Sequence, residues 1–201
     1  MSIKVKRMVK VSVDTFQVGD IIKFKLTSGA KVQAMAMQQE EDGMIFCLID
    51  CLPGKYQMNI LTNGGGYKEN ALRKSLNTWV LDYLFPEELK TVMVPFENGD
   101  LLRIPTEREI FGENRYDDYE DQHVQQWRPM KKCRNRIAVD GMKAGVVQRY
   151  WLANKVREPK IDASFKATTA FFTAVDYCGR ASYNDGICAL GVRPVFKIKN
   201  C

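Results

Sequence analysis

Apolar residues recur at every second position early in the chain, where Ile3, Val5, Val9, Val11 and Val13 alternate with charged and polar neighbours. That period predicts a first strand over residues 3–13 with one face buried. A turn at Gly19-Asp20 leads into a second strand, Ile21-Ile22-Lys23-Phe24-Lys25-Leu26, and Ser28-Gly29 marks a tight hairpin. Residues 31–37 run back and residues 40–43 turn again. Met44-Ile45-Phe46-Cys47-Leu48-Ile49 is then an uninterrupted apolar run of the length of a buried strand. The first quarter of the chain reads as a β-meander.

The period changes after Gly64-Gly65-Gly66, a loop that no regular element crosses cheaply. Leu72, Leu76, Trp79, Val80, Tyr83 and Leu84 recur at three and four residues, an amphipathic helix that Asn70 caps and Pro86 stops. On this spacing Trp79 is a core anchor. Glu87-Glu88 begins a second short helix, Leu101-Leu102-Arg103-Ile104 is a short strand, and Thr106 with Glu109 forms a capping box at another helix start. Residues 112–136 are polar and irregular, and residues 141–148 read as a loop. Arg149-Tyr150-Trp151-Leu152-Ala153 and Phe171-Phe172-Thr173-Ala174-Val175 are aromatic strands, with Trp151 structural. The last strand, Gly191-Val192-Arg193-Pro194-Val195-Phe196, continues to Ile198. Arg193 would be costly to bury unpaired, so a structural tie to a carboxylate or to backbone carbonyls is expected. Strands, then helices, then strands predict an α+β fold whose two ends share a sheet.

Composition changes this picture little. With 201 residues, 45% hydrophobic and 27% charged, the chain is of ordinary globular make-up and the size of one domain. Net charge of +6 is compatible with an acidic partner and too modest to establish one. The charged N-terminus lacks the apolar run of a signal peptide, and no stretch approaches the ~18 apolar residues of a membrane span; a cytoplasmic or virion-associated location is expected, without membrane contact. In a reducing compartment the six cysteines, Cys47, Cys51, Cys133, Cys178, Cys188 and Cys201, are expected as free thiols, Cys47 and Cys51 buried. Cys178 and Cys188 flank a polar segment across which they could meet, and spacing alone leaves that open.

Candidate chemistry is sparse. No glycine-rich phosphate loop is present, and the single histidine, His123, leaves no histidine pair for a metal and no Ser-His-Asp set. It is expected in a surface loop. No catalytic residue, cofactor or metal is assigned. Two stretches have the composition of recognition sites. Tyr177, Arg180, Ser182, Tyr183, Asn184 and Asp185 mix rigid aromatic area with hydrogen-bonding side chains, in a segment that reads as a ligand-binding loop or as an ordinary turn between strands. Lys131, Lys132, Arg134 and Arg136 form a basic run suited to an anionic partner, and residues 117–121 an acidic one.

Several short motifs follow one another in a recognisable order: Asn70-Ala71-Leu72-Arg73-Lys74-Ser75-Leu76-Asn77, Ile104-Pro105-Thr106-Glu107-Arg108-Glu109, Asn135-Arg136-Ile137 ahead of Tyr150-Trp151-Leu152, and the terminal Gly191-Val192-Arg193-Pro194-Val195-Phe196. In this order the chain resembles an uncharacterised domain family of Firmicutes and their phages with a C-type-lectin-like fold. That fold is shared with formylglycine-generating (sulfatase-modifying) enzymes and with the variable proteins of diversity-generating retroelements. The resemblance spans about residues 14–198 of a single domain over residues 1–201. It implies a ligand face built from the late loops ahead of the last strand. Formylglycine-generating enzymes carry a closely spaced late cysteine pair, whereas nine residues separate Cys178 from Cys188. Calcium-dependent lectins carry Glu-Pro-Asn and Trp-Asn-Asp motifs, echoed by Glu158-Pro159-Lys160 and Tyr183-Asn184-Asp185, but Lys160 puts a cation where calcium needs oxygen. The expected function is a non-catalytic recognition module of a phage or mobile element that binds a protein or glycan. The alternatives are an intracellular inhibitor of a host protein or nucleic-acid machine, and a formylglycine-generating-type oxidase.

Overall fold

The uninterrupted apolar run at 44–49 lies where two cores meet. In the computed structural model, which describes residues 16–60, 62–116, 123–157 and 170–200, strands β1 (Ile21–Lys25), β2 (Lys31–Gln39) and β3 (Gly43–Leu48) form the antiparallel meander. Successive side chains of a strand face opposite ways. Met44, Phe46 and Leu48 therefore enter one core with Leu72, Leu76, Val80 and Phe85, while Ile45 and Cys47 enter a second with Ile110, Trp127, Tyr150 and Val195. Both faces being covered, alternation disappears from the sequence. The predicted strand over residues 3–13 lies outside the described residues.

After the two-residue strand β4 (Tyr56–Gln57) come α1 (Gly66–Glu69) and α2 (Ala71–Ser75). The side chain of Asn70 caps α2, its Oδ1 accepting the Arg73 N–H at 2.8 Å. The helical path is kinked in the turn Leu76–Val80, where Thr78 is non-helical at φ −124° and ψ −105°, before α3 (Leu81–Leu84). That turn corrects the expectation for Trp79, which is 44% exposed and stacks on Tyr56 at 6.0 Å, and Tyr83 is 73% exposed. A regular helix advances about 100° per residue, so a residue that leaves helical φ/ψ, as Thr78 does, breaks the phase of everything after it. Val80 and Leu81 take the inward places, and Trp79 and Tyr83 turn out.

The short helix α4 (Glu87–Lys90) and strand β5 (Met93–Val94) follow. The expected strand at 101–104 is reduced to a single bridge, Arg103 to Val195. Thr106 and Glu109 form the predicted capping box at the start of α5 (Glu107–Phe111). Two 3-10 turns, Arg128–Lys131 and Cys133–Arg136, carry the basic run. Then come β6 (Ala138–Val139), β7 (Val147–Gln148), β8 (Tyr150–Lys155), β9 (Phe171–Val175), β10 (Ala181–Asp185), β11 (Ala189–Leu190) and β12 (Val195–Lys199).

The closing strand pairs the two ends of the chain as predicted. β12 lies between β3 and β5 in the five-stranded order β1-β2-β3-β12-β5, with Val195 opposite Cys47 and Phe196 opposite Phe46. A second sheet, β10-β9-β8, carries the late hairpin. Trp151 is fully buried in the first core, its indole N–H donating to the Tyr56 carbonyl at 2.8 Å. The architecture is mixed α+β, its strand pairs antiparallel and its helices short. Among the described residues no helix is long and apolar enough to cross a membrane.

Candidate functional site

The predicted ligand loop divides into a turn and a strand. Ala181 pairs with Val175 and Asp185 with Phe171, so Ser182, Tyr183, Asn184 and Asp185 form edge strand β10 and not a loop, a correction to the sequence reading. Their side chains are half-buried and engaged. Ser182 Oγ and the Tyr183 carbonyl accept from Arg149 at 3.2 and 3.1 Å. The Tyr183 ring meets Tyr116 and Phe171 edge-on at 5.1 and 5.7 Å. Asn184 Oδ1 accepts the Asp185 N–H, and Asp185 Oδ1 that of Ile187. An edge strand has one neighbour and tolerates polar side chains, so its period leaves little trace in the sequence.

Tyr177 and Arg180 occupy the turn before it and are exposed. Asp176 shapes that turn: its Oδ1 accepts the N–H groups of Cys178 at 2.9 Å and Arg180 at 2.7 Å. Gly179, at φ 75°, completes it in the left-handed region.

The basic run is held from below by Arg193. This side chain is 1% exposed and has no carboxylate among its hydrogen-bond partners. Its Nε donates to the Leu48 carbonyl at 2.8 Å, and its Nη1 to the Asn135 carbonyl at 3.2 Å and to the Tyr150 hydroxyl at 3.0 Å. That hydroxyl in turn donates to the Arg136 carbonyl at 2.9 Å. Of the two expected kinds of partner, the arginine thus has carbonyls, with a phenol ring 4.9 Å beneath its guanidinium. Burial pushes Tyr150 and Cys51 each up to about 12 despite the nearby guanidinium, so both stay neutral at pH 7. Pro129 and Met130 are buried beneath the segment, while Lys131, Lys132 and Arg134 face solvent. Arg136 is half-buried, its Nε donating to the Met130 carbonyl at 2.7 Å and its guanidinium 5.3 Å from the Phe111 ring centre.

The fold brings the turn and the basic run together. Cys133 Sγ lies 3.5 Å from the Cys178 carbonyl oxygen. A Cβ built on Gly179 would sit 3.1 Å from the Cys133 carbonyl oxygen and 3.2 Å from Arg136 Cβ, so only glycine lets the segments approach this closely. One surface results, carrying Lys131, Lys132, Arg134, Tyr177 and Arg180, and none of these four cations forms an ion pair among the described residues. Clustered, unpaired and solvated, they present a positive potential.

A second concave feature went unread in the sequence. A cleft of about 660 Å³ is lined by Ile45, Tyr67, Phe96, Arg103, Glu109 and Lys197, with His123 exposed at its rim. Arg103 pairs with both oxygens of Glu109 at 2.8 and 2.5 Å, and Lys197 with Asp42 and Glu40 at 2.7 and 3.2 Å. Both cations lie over the Phe96 ring, at 4.7 and 5.7 Å. Its charges therefore answer one another, unlike those of the basic surface. No sequence period links residues 96, 103 and 197, which meet only because Arg103 bridges β12.

Cys47 and Cys51 are buried free thiols in the second core. Cys178 and Cys188, also free, lie beyond opposite ends of the five-residue strand β10. Among the described residues no cluster of three or more His, Cys, Asp or Glu is placed to hold a metal ion. The chain matches no protein-family model, no curated protein and no solved structure.

Proposed function

We propose that this chain is a non-catalytic recognition module that binds an acidic protein surface through the composite patch of Lys131, Lys132, Arg134, Tyr177 and Arg180. The observation that carries the reading is the packing of Gly179 and Cys178 on Cys133, which joins two separately coded recognition candidates into one exposed, unpaired cationic face. Arginine beside tyrosine is the composition of a protein hot spot. A nucleic-acid strand would instead call for a longer basic groove with stacking rings along it. A C-type-lectin-like architecture accords with this reading, with β12 pairing the chain ends and the late hairpin in a separate sheet.

Fluorescence anisotropy with a labelled oligo-glutamate peptide and, separately, a labelled DNA duplex tests the proposal. The peptide is expected to bind, with Arg134→Glu and Arg180→Glu each weakening it at least fivefold and Asp82→Lys leaving it unchanged. Stronger binding to the duplex, with an affinity falling steeply in salt, would replace the acidic protein with nucleic acid. No effect of either reversal would end the proposal.

A further inference from the structure

Cys133 and Cys178 are both exposed, and Cys133 Sγ sits 3.5 Å from the carbonyl oxygen of Cys178 itself. The contact joins residues 45 positions apart, and neighbouring backbone fixes it. Gly179 presses on the Cys133 carbonyl and on Arg136, and the Asp176 carboxylate locks the turn by accepting from Cys178 and Arg180. A disulfide spans Cα atoms about 4.4–6.8 Å apart. The Cys133 sulfur already touches the Cys178 backbone, and exposed side chains such as these two exchange rotamers freely. Lys131, Lys132, Arg134 and Arg180 flank the pair along the chain, and both thiols are exposed and so open to a peroxide. The remaining described thiols are differently placed: Cys47 and Cys51 are buried and Cys188 lies beyond β10.

We infer that Cys133 and Cys178 form a reversible disulfide on exposure to a peroxide, fastening the late turn to the basic run. One thiolate attacks a peroxide oxygen; the O–O bond breaks, water leaves after proton uptake, and the sulfur becomes a sulfenic acid. The second thiol attacks that sulfur, the S–O bond breaks, a second water departs and the S–S bond forms. Two thiols are oxidised by two electrons and one hydrogen peroxide is reduced to two waters. A dithiol reductant reverses the step. The bond itself does not depend on the proposed partner. Its consequence does rest on that reading, because cross-linking would freeze the two halves of the cationic face in one arrangement.

The test treats the full chain with hydrogen peroxide, quenches with an alkylating agent and maps peptides by mass. Expected are one peptide pair joining Cys133 to Cys178, lighter by two hydrogens and restored by dithiothreitol, its absence in Cys133→Ser and in Cys178→Ser, and its persistence in Cys188→Ser. Oxidised wild type should melt several degrees higher than reduced, and neither serine variant should show the rise. Sulfinic acid on separate thiols, or a bridge through Cys188, would overturn the inference. Anisotropy with the oligo-glutamate peptide on the oxidised form is read separately. A formed bond without any peptide binding would sink the recognition proposal and leave the disulfide standing.

Discussion

Removal of the Arg193 guanidinium is the perturbation with the widest consequences. Arg193→Ala takes the donor from the Leu48 carbonyl, the Asn135 carbonyl and the Tyr150 hydroxyl at once. A hydrogen bond from a charged donor contributes about 1.5 kcal/mol or more, so three give roughly 4–5 kcal/mol, and the space left by a large buried side chain adds to the loss. Against this, the guanidinium is buried without a carboxylate, and deleting it recovers part of its desolvation penalty. The net expectation is a loss of about 3 kcal/mol, a fall in Tm of about 6–12 °C for a chain of this size. Urea titration at constant m-value measures it. Arg193→Lys should recover less than half, because a point ammonium cannot serve three acceptors set around a planar fork. Hydrogen exchange supplies a local readout: the amide of Asn135, bonded to the Lys132 carbonyl at 2.9 Å, should lose protection in Arg193→Ala before the sheet does. A stability loss under about 1 kcal/mol, or unchanged exchange at 133–136, would refute the assignment of Arg193 as the support of the basic run.

The two predicted tryptophan anchors should separate. Trp151→Ala, emptying a fully buried site, costs about 3–5 kcal/mol, whereas Trp79→Ala, at 44% exposure, costs about 1 kcal/mol or less in the same urea titration. Equal losses would contradict the change of phase at Thr78. Gly179→Ala forces a Cβ into the left-handed region 3.1 Å from the Cys133 carbonyl, and is expected to cost about 1–3 kcal/mol with loss of exchange protection at both 133–136 and 176–180. Burial raises Tyr150 from 10.0 to about 12, so the folded state keeps a proton that the unfolded chain releases. The stability linked to it is full below pH 10 and is lost as pH climbs from 10 toward 12. In melts between pH 9 and 11.5, Tyr150→Phe should start less stable and fall less steeply than wild type, and parallel slopes would show that Tyr150 is not the titrating group.

Wherever neighbours in sequence decide the structure, residue types announced it. The meander followed from alternation and turn residues, the start of α2 from Asn70, that of α5 from Thr106 and Glu109, and the role of β12 from its apolar content. Rotation of Trp79 was hidden because the kink at Thr78 leaves helical composition unchanged while shifting phase. Strand β10 was hidden because an edge strand tolerates Ser182 and Asn184 where a central strand would not. The candidate surface was legible as two stretches, and their meeting was not: the contact of Cys133 with Cys178 spans 45 positions and depends on a glycine with no side chain to signal it. The cleft of Arg103, Lys197 and Phe96 was illegible for the same reason, since it forms only when β12 closes the sheet.

Hydrogen-exchange mass spectrometry of the full chain, with and without saturating oligo-glutamate peptide, tests the composite surface most directly. New protection is predicted at 131–136 and at 176–180 together, absent from both segments in Arg134→Glu, with the cleft around Phe96 and the Trp79 face unchanged. Protection confined to one segment, or appearing at the cleft instead, would contradict the account.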